Sequence, residues 1–171
     1  SAEAFDNQVF PTNLRFFGNV WRPGPDGDAH LTILNTQTPG AGGYYSSADE
    51  YPAAVNPYSN QRKMIYIDVK SYAIGTSRYN GVLAHELQHA LHWLADPNEE
   101  GWVNEGLSEL AMRLNGYPVG GSESIFARTP DTQLNTWGDN PATNTVYYGA
   151  SYLFLSYFYQ RFGDDALRDL V

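Results

Sequence analysis

The segment His85-Glu86-Leu87-Gln88-His89 combines residue types and a spacing that suit metal-dependent chemistry. On an α-helix, residues four apart lie one turn above each other, so the imidazoles of His85 and His89 can leave one face and bind a single ion. The carboxylate of Glu86 projects beside that face, where it can reach a water molecule bound to the metal. The segment therefore predicts a metal site with a proton acceptor next to it.

A second acidic pair follows shortly afterwards in the chain. Catalytic zinc usually takes three protein ligands and leaves one position for water, so a third ligand is needed. Glu105 and Glu109 are both candidates, and they are again four residues apart. Two carboxylates stacked on one helix face repel each other, and a cation beside them would remove that cost. We predict that Glu105 is the third ligand and that Glu109 accepts a hydrogen bond that orients His85.

Both motifs must lie on amphipathic helices if they are to face one cleft. Leucine and alanine recur opposite the histidines in the first helix and opposite the glutamates in the second. Thr76 or Ser77 can cap the first helix at its start, and Pro97 prevents it from running much further. The second helix is expected to end at Asn115-Gly116. These patterns predict that each helix buries its apolar face and turns its polar motif toward the cleft.

His92 requires a separate interpretation, because it lies near the same helix face as the two motif histidines. It is two turns from His85, roughly 10 Å along the axis, which is too far for both to bind one ion. We therefore expect His92 to pack or to support the site from behind.

A simpler alternative for the whole motif is a surface helix whose histidines are solvated.

The remaining helices, strands and loops are predicted from the alternation of apolar residues and from the positions of turn residues. Residues 3–17 predict a short helix broken near Pro11, and a strand is expected to begin within residues 18–21. Further strands are expected at 30–34 and, most strongly, at 63–69. Residues 117–144 are polar, irregular and expected to wall the cleft. A last long helix is predicted from about Thr145 to Phe162, with Gly163 as its stop.

Composition narrows the classes of function that fit this chain. Its 171 residues and 42% hydrophobic content predict one domain, 1–171, with a substantial core. The net charge of −9 argues against nucleic acid as a partner, and no apolar run is long enough to span a membrane. The segment Asp26-Gly27-Asp28 could seat Ca²⁺, but it offers only two carboxylates, and a plain turn is the better interpretation. The oligomeric state is left open.

The sequences HELQH and NEGLSE together resemble the gluzincin zinc metallopeptidases, the thermolysin-like group. The local sequence at His92-Trp93 and in the pattern W-x-N-E-G-L-S-E is most similar to that of the hyicolysin-like and immune-inhibitor-like bacterial peptidases. The resemblance implies a secreted or cell-surface bacterial protein with one catalytic zinc ion. It implies an α+β, zincin-like fold with a small twisted sheet and the active-site helix in an upper half, residues 1–96. A mainly helical lower half then spans about 97–171.

The resemblance also implies an exposed edge strand above the metal that pairs with an extended substrate. Tyr44, Tyr45 and Ser46 fall where that strand would lie and are candidate substrate-binding residues, since main-chain hydrogen bonds hold a peptide without needing a particular sequence. An ordinary tyrosine-rich loop remains an alternative. These enzymes further need a hydrogen-bond donor for the oxyanion. The chain has few histidines to spare, and Tyr148-x-x-Ser151 resembles the helix start of tyrosine-using gluzincins, so Tyr148 is preferred over Tyr147.

The resulting expectation is zinc-dependent hydrolysis of a peptide or protein substrate by a metal-bound water, with Glu86 as general base. Two alternatives stay open. One is a zinc-dependent hydrolase that acts on a non-peptide bond, because a metal centre does not itself determine which acyl group it receives. The other is a non-catalytic binding domain that retains a zinc site.

Overall fold

A computed structural model describes residues 2–18, 23–138 and 143–171. It contains both helices and a small sheet, which is compatible with the predicted α+β class. The elements, in chain order, are α1 (Ala2–Ala4), a π-helix (Phe5–Val9), α2 (Phe10–Phe17), β1 (Thr32–Thr36), β2 (Gly43–Tyr45), a 3₁₀ helix (Ser47–Glu50), β3 (Met64–Asp68), α3 (Ser77–Ala95), α4 (Gly101–Leu114), α5 (Ser122–Phe126) and α6 (Thr145–Asp169).

The three strands form one sheet in the order β1-β3-β2. All five residues of β3 are buried, as expected for the most apolar strand of the chain in the middle of a sheet. β1 pairs with it in parallel and β2 in antiparallel orientation, with Tyr44 opposite Tyr66. β2 is therefore an edge strand, and its neighbours in the fold decide what that edge can bind.

Helix α3 crosses the sheet and carries the first motif. The side chain of Thr76 caps it by accepting a hydrogen bond from the main-chain N–H of Tyr79, and the helix ends at Ala95, just before Pro97. Its apolar stripe is buried, with Leu83 and Leu87 fully inaccessible to solvent. Burying side chains of this size stabilises the fold by about 1.5–3 kcal/mol each. The predicted cap and apolar face are confirmed.

Helices α4 and α6 pack against each other below α3. Gly106 makes their close approach possible, because a Cβ atom at that position would lie 2.9 Å from the Cβ atom of Ser151. Helix α4 ends at Leu114, before Asn115-Gly116, as predicted. The predicted boundary between the two halves, near residue 96, falls in the connection between α3 and α4. This arrangement brings the second motif against the first helix and the start of α6.

The structure corrects two details of the predicted elements and confirms a third. The N-terminal helix does not break at Pro11: a π-helical turn precedes it, and the missing N–H is tolerated in the first turn of α2. β1 begins at Thr32 rather than at residue 30, because its partner in the sheet sets its length. The predicted stop of the last long helix at Gly163 is confirmed, because the φ of 82° and ψ of −169° at this residue are not helical and α6 is divided there by a kink. The strand expected at 18–21 falls on residues outside the described ranges, apart from Gly18.

Asp26 and Asp28 lie in a turn and use their carboxylates locally. Oδ1 of Asp26 accepts from the N–H of Asp28, and Oδ1 of Asp28 accepts from the main-chain N–H of His30. Within the described residues, no group of three or more metal-binding side chains gathers around this turn. None of the described helices is both long and apolar enough to cross a membrane.

Candidate metal centre

His85 and His89 leave one face of α3, and Glu105 reaches toward them from the first turns of α4. The two imidazole rings lie with their centres 4.8 Å apart. One potential ligand atom from each of the three residues lies within 4.8 Å of the others, so the group could hold a metal ion. It is the only such group of three or more His, Asp and Glu side chains in the described parts of the chain.

The carboxylate of Glu105 fits a cation better than it fits its protein surroundings. Its Oε2 atom lies 3.3 Å from Nε2 of His85 and 3.5 Å from Nε2 of His89. That oxygen is buried and makes no well-formed hydrogen bond with the residues described. A buried carboxylate oxygen without a donor is costly, and a shared cation would offset that cost. Two imidazoles and one carboxylate are also the ligand types that catalytic zinc sites use.

The other ring nitrogens of both histidines face acceptors. Nδ1 of His89 lies 2.6 Å from Oδ1 of Asn104, and Nδ1 of His85 lies 3.5 Å from Oε1 of Glu109. If each Nδ1 carries the proton and donates it to that acceptor, each Nε2 presents its lone pair to the same point. Glu109 thus lies beside His85, the histidine that it is predicted to orient. The sequence reasoning missed Asn104, although an amide directly before the ligand Glu105 was a signal for it.

Glu86 lies beside the histidines and is 5% exposed. Its carboxylate lines the same cavity as Tyr45, whose main-chain N–H faces it from β2. Burial raises the pKa of Glu86 because it disfavours the charged form, and the neighbouring histidines oppose this rise only in part. A carboxylate with a raised pKa is a stronger proton acceptor than one in water, which suits the predicted role of Glu86.

Electrostatics favour positive charge at this point of the cleft. Burial works against protonation of His85, but the close carboxylate of Glu105 and the charges of Glu86 and Glu109 outweigh it and raise its pKa to about 9. Burial likewise opposes ionisation of Glu105, yet the two histidines lower its pKa overall. The carboxylates therefore stabilise positive charge here, whether protons on the imidazoles or a cation supplies it.

Two cavities that share part of their lining lie beside this group of residues. One, of about 470 Å³, lies toward the C-terminal end of α3 and is lined by Tyr44, Tyr45, Ser47 and Trp93 among others. The second, of about 500 Å³, lies toward the preceding glycine-rich segment and Tyr72. Both are lined by Gly43, His85, Glu86 and Tyr148, whereas the candidate ligands His89 and Glu105 line only the first. Of the predicted substrate-binding residues, Tyr44 and Tyr45 line the first cavity, and Ser46 lines neither.

Tyr148 lies in the first turn of α6 and lines both cavities. Its phenol lies near Glu105, and burial followed by the nearby carboxylates raises the pKa of that phenol, which therefore stays protonated at neutral pH. The ring of Trp137 packs edge-on against that of Tyr148, with centres 4.9 Å apart, and also contacts Tyr147. Tyr147 does not line either cavity. The geometry thus brings Tyr148, and not Tyr147, to the candidate ligands.

His92 belongs to a buried polar network behind the site. Ser108 donates a hydrogen bond of 2.5 Å to Oε1 of Gln88, so the amide nitrogen of Gln88 faces Nδ1 of His92 at 3.1 Å as a donor. The proton of neutral His92 then sits on Nε2, which lies 3.8 Å from Glu99. Burial lowers the pKa of His92 to about 4. The expectation that His92 packs behind the site agrees with these contacts.

Comparison with protein-family models, with curated proteins and with solved structures gave no significant match. The class of site is therefore defined by the chain's own geometry. It is a group of two histidines and one glutamate that could hold a metal ion, in a cleft between an edge strand and helices α3, α4 and α6.

Proposed function

We propose that this protein is a zinc-dependent peptidase of the gluzincin type with a zincin-like fold. The observation that carries the proposal is the convergence of Nε2 of His85 and Nε2 of His89 on the carboxylate of Glu105, with the buried carboxylate of Glu86 beside them. A structural zinc site would be closed by a fourth protein ligand. The described residues supply three, on the floor of an open cleft.

His85, His89 and Glu105 would hold the zinc ion, and Asn104 and Glu109 would fix the orientation of the two imidazoles. A zinc ion bound there would supply Lewis acidity, which polarises a carbonyl group and lowers the pKa of water toward neutrality. The chain's own side chains must then move the proton and bind the substrate.

Glu86 is the residue that accepts the proton of the attacking water. Its raised pKa and its protected position beside the histidines make it a competent base near neutral pH. The same carboxyl group, once protonated, can donate to the amine that leaves when the peptide bond breaks. One group thereby removes a proton in the first half of the reaction and returns it in the second.

Tyr148 supplies the hydrogen-bond donor for the oxyanion. Its phenol remains protonated because burial raises its pKa, and it lines both cavities near Glu105. A neutral donor aimed at developing negative charge in a water-poor site is worth much more than in bulk water. Trp137 limits the movement of the ring by packing against it.

The edge strand β2 would bind the substrate main chain through Gly43 and the carbonyl of Tyr45, because the N–H of Tyr45 faces Glu86. Asp68 donates its N–H to the carbonyl of Gly42, so in the antiparallel alternation the main chain of Tyr44 faces β3 and that of Gly43 and Tyr45 faces the other edge. A peptide added antiparallel to β2 would place its N-terminal part in the cavity near Trp93 and its C-terminal part in the cavity near Tyr72. Such binding makes few demands on side chains, which fits a peptidase.

Digestion of a peptide library tests this proposal. The protein should cleave peptide bonds when loaded with zinc, lose that activity on chelation and regain it when zinc is restored. Hydrolysis of esters or other acyl compounds without any peptide cleavage would favour the non-peptide hydrolase. Stoichiometric zinc binding with no turnover of either class would favour a non-catalytic binding domain.

A further inference from the structure

A chain of buried contacts leads away from Glu86 to a charged pair that the proposed reaction does not use. The main-chain N–H of Tyr45 points to the free edge of β2 and faces Glu86 in the same cavity, and the hydroxyl of the same tyrosine donates to Oε1 of Glu50 at 2.8 Å. The other oxygen of Glu50 lies 3.1 Å from Nζ of Lys63, whose side chain is only 1% exposed. The contacts therefore link the base on α3 to residues that flank both β2 and β3.

The register of the sheet explains why Tyr45 can act as this link. Its main-chain N–H points to the free edge of β2 and faces Glu86, while its ring packs against the hydrophobic core. The strand has only three residues, and it pairs with β3 along one edge within the described chain. An edge strand this short forms few main-chain hydrogen bonds with its neighbour, so side-chain contacts also determine how firmly Tyr45 is fixed.

Glu50 and Lys63 form such an anchor, although burying their charges costs free energy. A buried ion pair often stabilises a fold no more than apolar residues of the same size would, because both charges must be removed from water. The pair does, however, fix the position of Tyr45: Lys63 forms an ion pair with the carboxylate of Glu50, and that carboxylate accepts a hydrogen bond from the phenol of Tyr45. The position of the Tyr45 amide, and with it the orientation of Glu86, then depends on a charge outside the cleft.

We propose that Glu50 is a positioning residue for Glu86, acting through the side chain and the main-chain amide of Tyr45, with Lys63 holding Glu50 in place. This inference rests on the proposed function, since it assigns a role in orienting the proton acceptor. Loss of the anchor should leave zinc and substrate binding in place and lower turnover. A displacement of about 1 Å in a reacting group is enough to slow a reaction by about 10² fold.

Two tyrosine variants separate this role from a general effect on stability. Tyr45→Phe removes the hydroxyl that binds Glu50 and keeps the ring and the main-chain N–H. Tyr79→Phe is the matched control, because it also removes one 2.8 Å phenol hydrogen bond from the interior, to Asn35, away from Glu86. We expect kcat to fall by about 10 to 100 fold in Tyr45→Phe, with KM and zinc content within about twofold of wild type, and to stay unchanged in Tyr79→Phe.

Variants of the charged pair test Glu50 itself. Glu50→Ala should lower kcat as Tyr45→Phe does, because nothing then accepts the phenol's proton. In Glu50→Gln/Lys63→Met, the amide oxygen still accepts from Tyr45, and no unpaired charge remains in the interior. This double variant should recover kcat to within about threefold of wild type. Failure of that rescue, in a variant as stable as Tyr79→Phe, would contradict the proposal.

Amide hydrogen exchange gives a second readout that does not depend on turnover. The amide at position 45 should exchange faster in Glu50→Ala and in Tyr45→Phe than in wild type, and at the wild-type rate in Tyr79→Phe. If no variant cleaves peptides but this pattern appears, the proposed function fails and the anchoring of Tyr45 stands. If peptides are cleaved but exchange and kcat respond equally in Tyr45→Phe and Tyr79→Phe, the positioning role is overturned.

Discussion

The Nδ1 atom of His89 lies 2.6 Å from the Oδ1 atom of Asn104, one residue before Glu105. One turn of α4 therefore carries both a candidate ligand and the acceptor that orients another ligand. The carboxylate of Glu109 faces His85 in the same manner at 3.5 Å, from one turn further along α4. The second helix thus supplies a ligand and both orienting groups.

Asn104→Ala should weaken zinc binding by about 10 to 100 fold, because His89 loses the closest acceptor of its ring and keeps only the more distant hydroxyl of Ser108, at 3.2 Å. Asn104→Asp should retain binding close to wild type, since a carboxylate oxygen also accepts from Nδ1. Competition with a chromogenic chelator measures both affinities. Equal affinities in the alanine variant and wild type would show that Asn104 has no orienting role.

Glu109→Ala should likewise lower zinc affinity or activity by about 10 to 100 fold without abolishing either. The reason is that Nδ1 of His85 then has no acceptor, while Nε2 and the other two ligands remain. Glu109→Gln keeps an amide oxygen in place and should show a smaller loss. A Glu109→Ala protein with wild-type zinc affinity and wild-type activity would identify Glu109 as a packing residue only.

Tyr148→Phe should lower kcat by about 10² to 10³ fold with zinc content unchanged, as expected when one oxyanion donor is removed. Tyr147→Phe is the control, because Tyr147 contacts the same tryptophan but does not line the cleft. Steady-state kinetics on one peptide substrate and metal analysis of each protein provide the comparison. A fully active Tyr148→Phe enzyme would place the donor elsewhere.

The elements that hold the candidate ligands could be predicted because their signals are local. Residues four apart on α3 and α4 share a face at any helix packing, and Thr76 caps the helix through its own side chain. The burial of β3 also follows from its apolar run. These features depend on residues within one or two turns of each other, so the sequence contains them in full.

The remaining features depend on how separate elements meet. Tyr45 faces Glu86 only because β2 is an edge strand whose register points that amide outward. Tyr148 meets Glu105 because Gly106 lets α4 approach α6 closely. Neither the register nor the helix crossing has a local pattern, and the choice between Tyr147 and Tyr148 rested on resemblance. Asn104 directly precedes Glu105, but its contact with His89 depends on how α4 packs against α3.

His92 should make stability depend on pH. Its imidazole takes up a proton near pH 6.5 in the unfolded chain but only near pH 4 in the folded protein, because burial and then the charge of His89 outweigh the opposing charge of Asp96. The unfolded state therefore binds more protons between these values, and the folded state loses about 2 kcal/mol between pH 7 and pH 5.

Urea unfolding of wild type and His92→Gln at both pH values tests this, with chelator in every sample so that metal binding does not contribute. Glutamine keeps an acceptor for Gln88 but does not titrate. The wild-type free energy of unfolding should fall by about 2 kcal/mol more than that of the variant. Equal decreases in the two proteins would mean that His92 is not held neutral.

Glu86 is the central residue of the proposed mechanism, because it accepts the proton. In Glu86→Gln the amide fills the same space beside His85 and His89 but cannot take up a proton, so zinc should still bind. Zinc content and the rate of peptide cleavage, measured on the same preparations of wild type and variant, test this directly. We expect one equivalent of zinc in both proteins and a loss of turnover of about 10² to 10⁴ fold in the variant. A zinc-loaded Glu86→Gln protein that cleaves peptides at the wild-type rate would contradict the proposed mechanism.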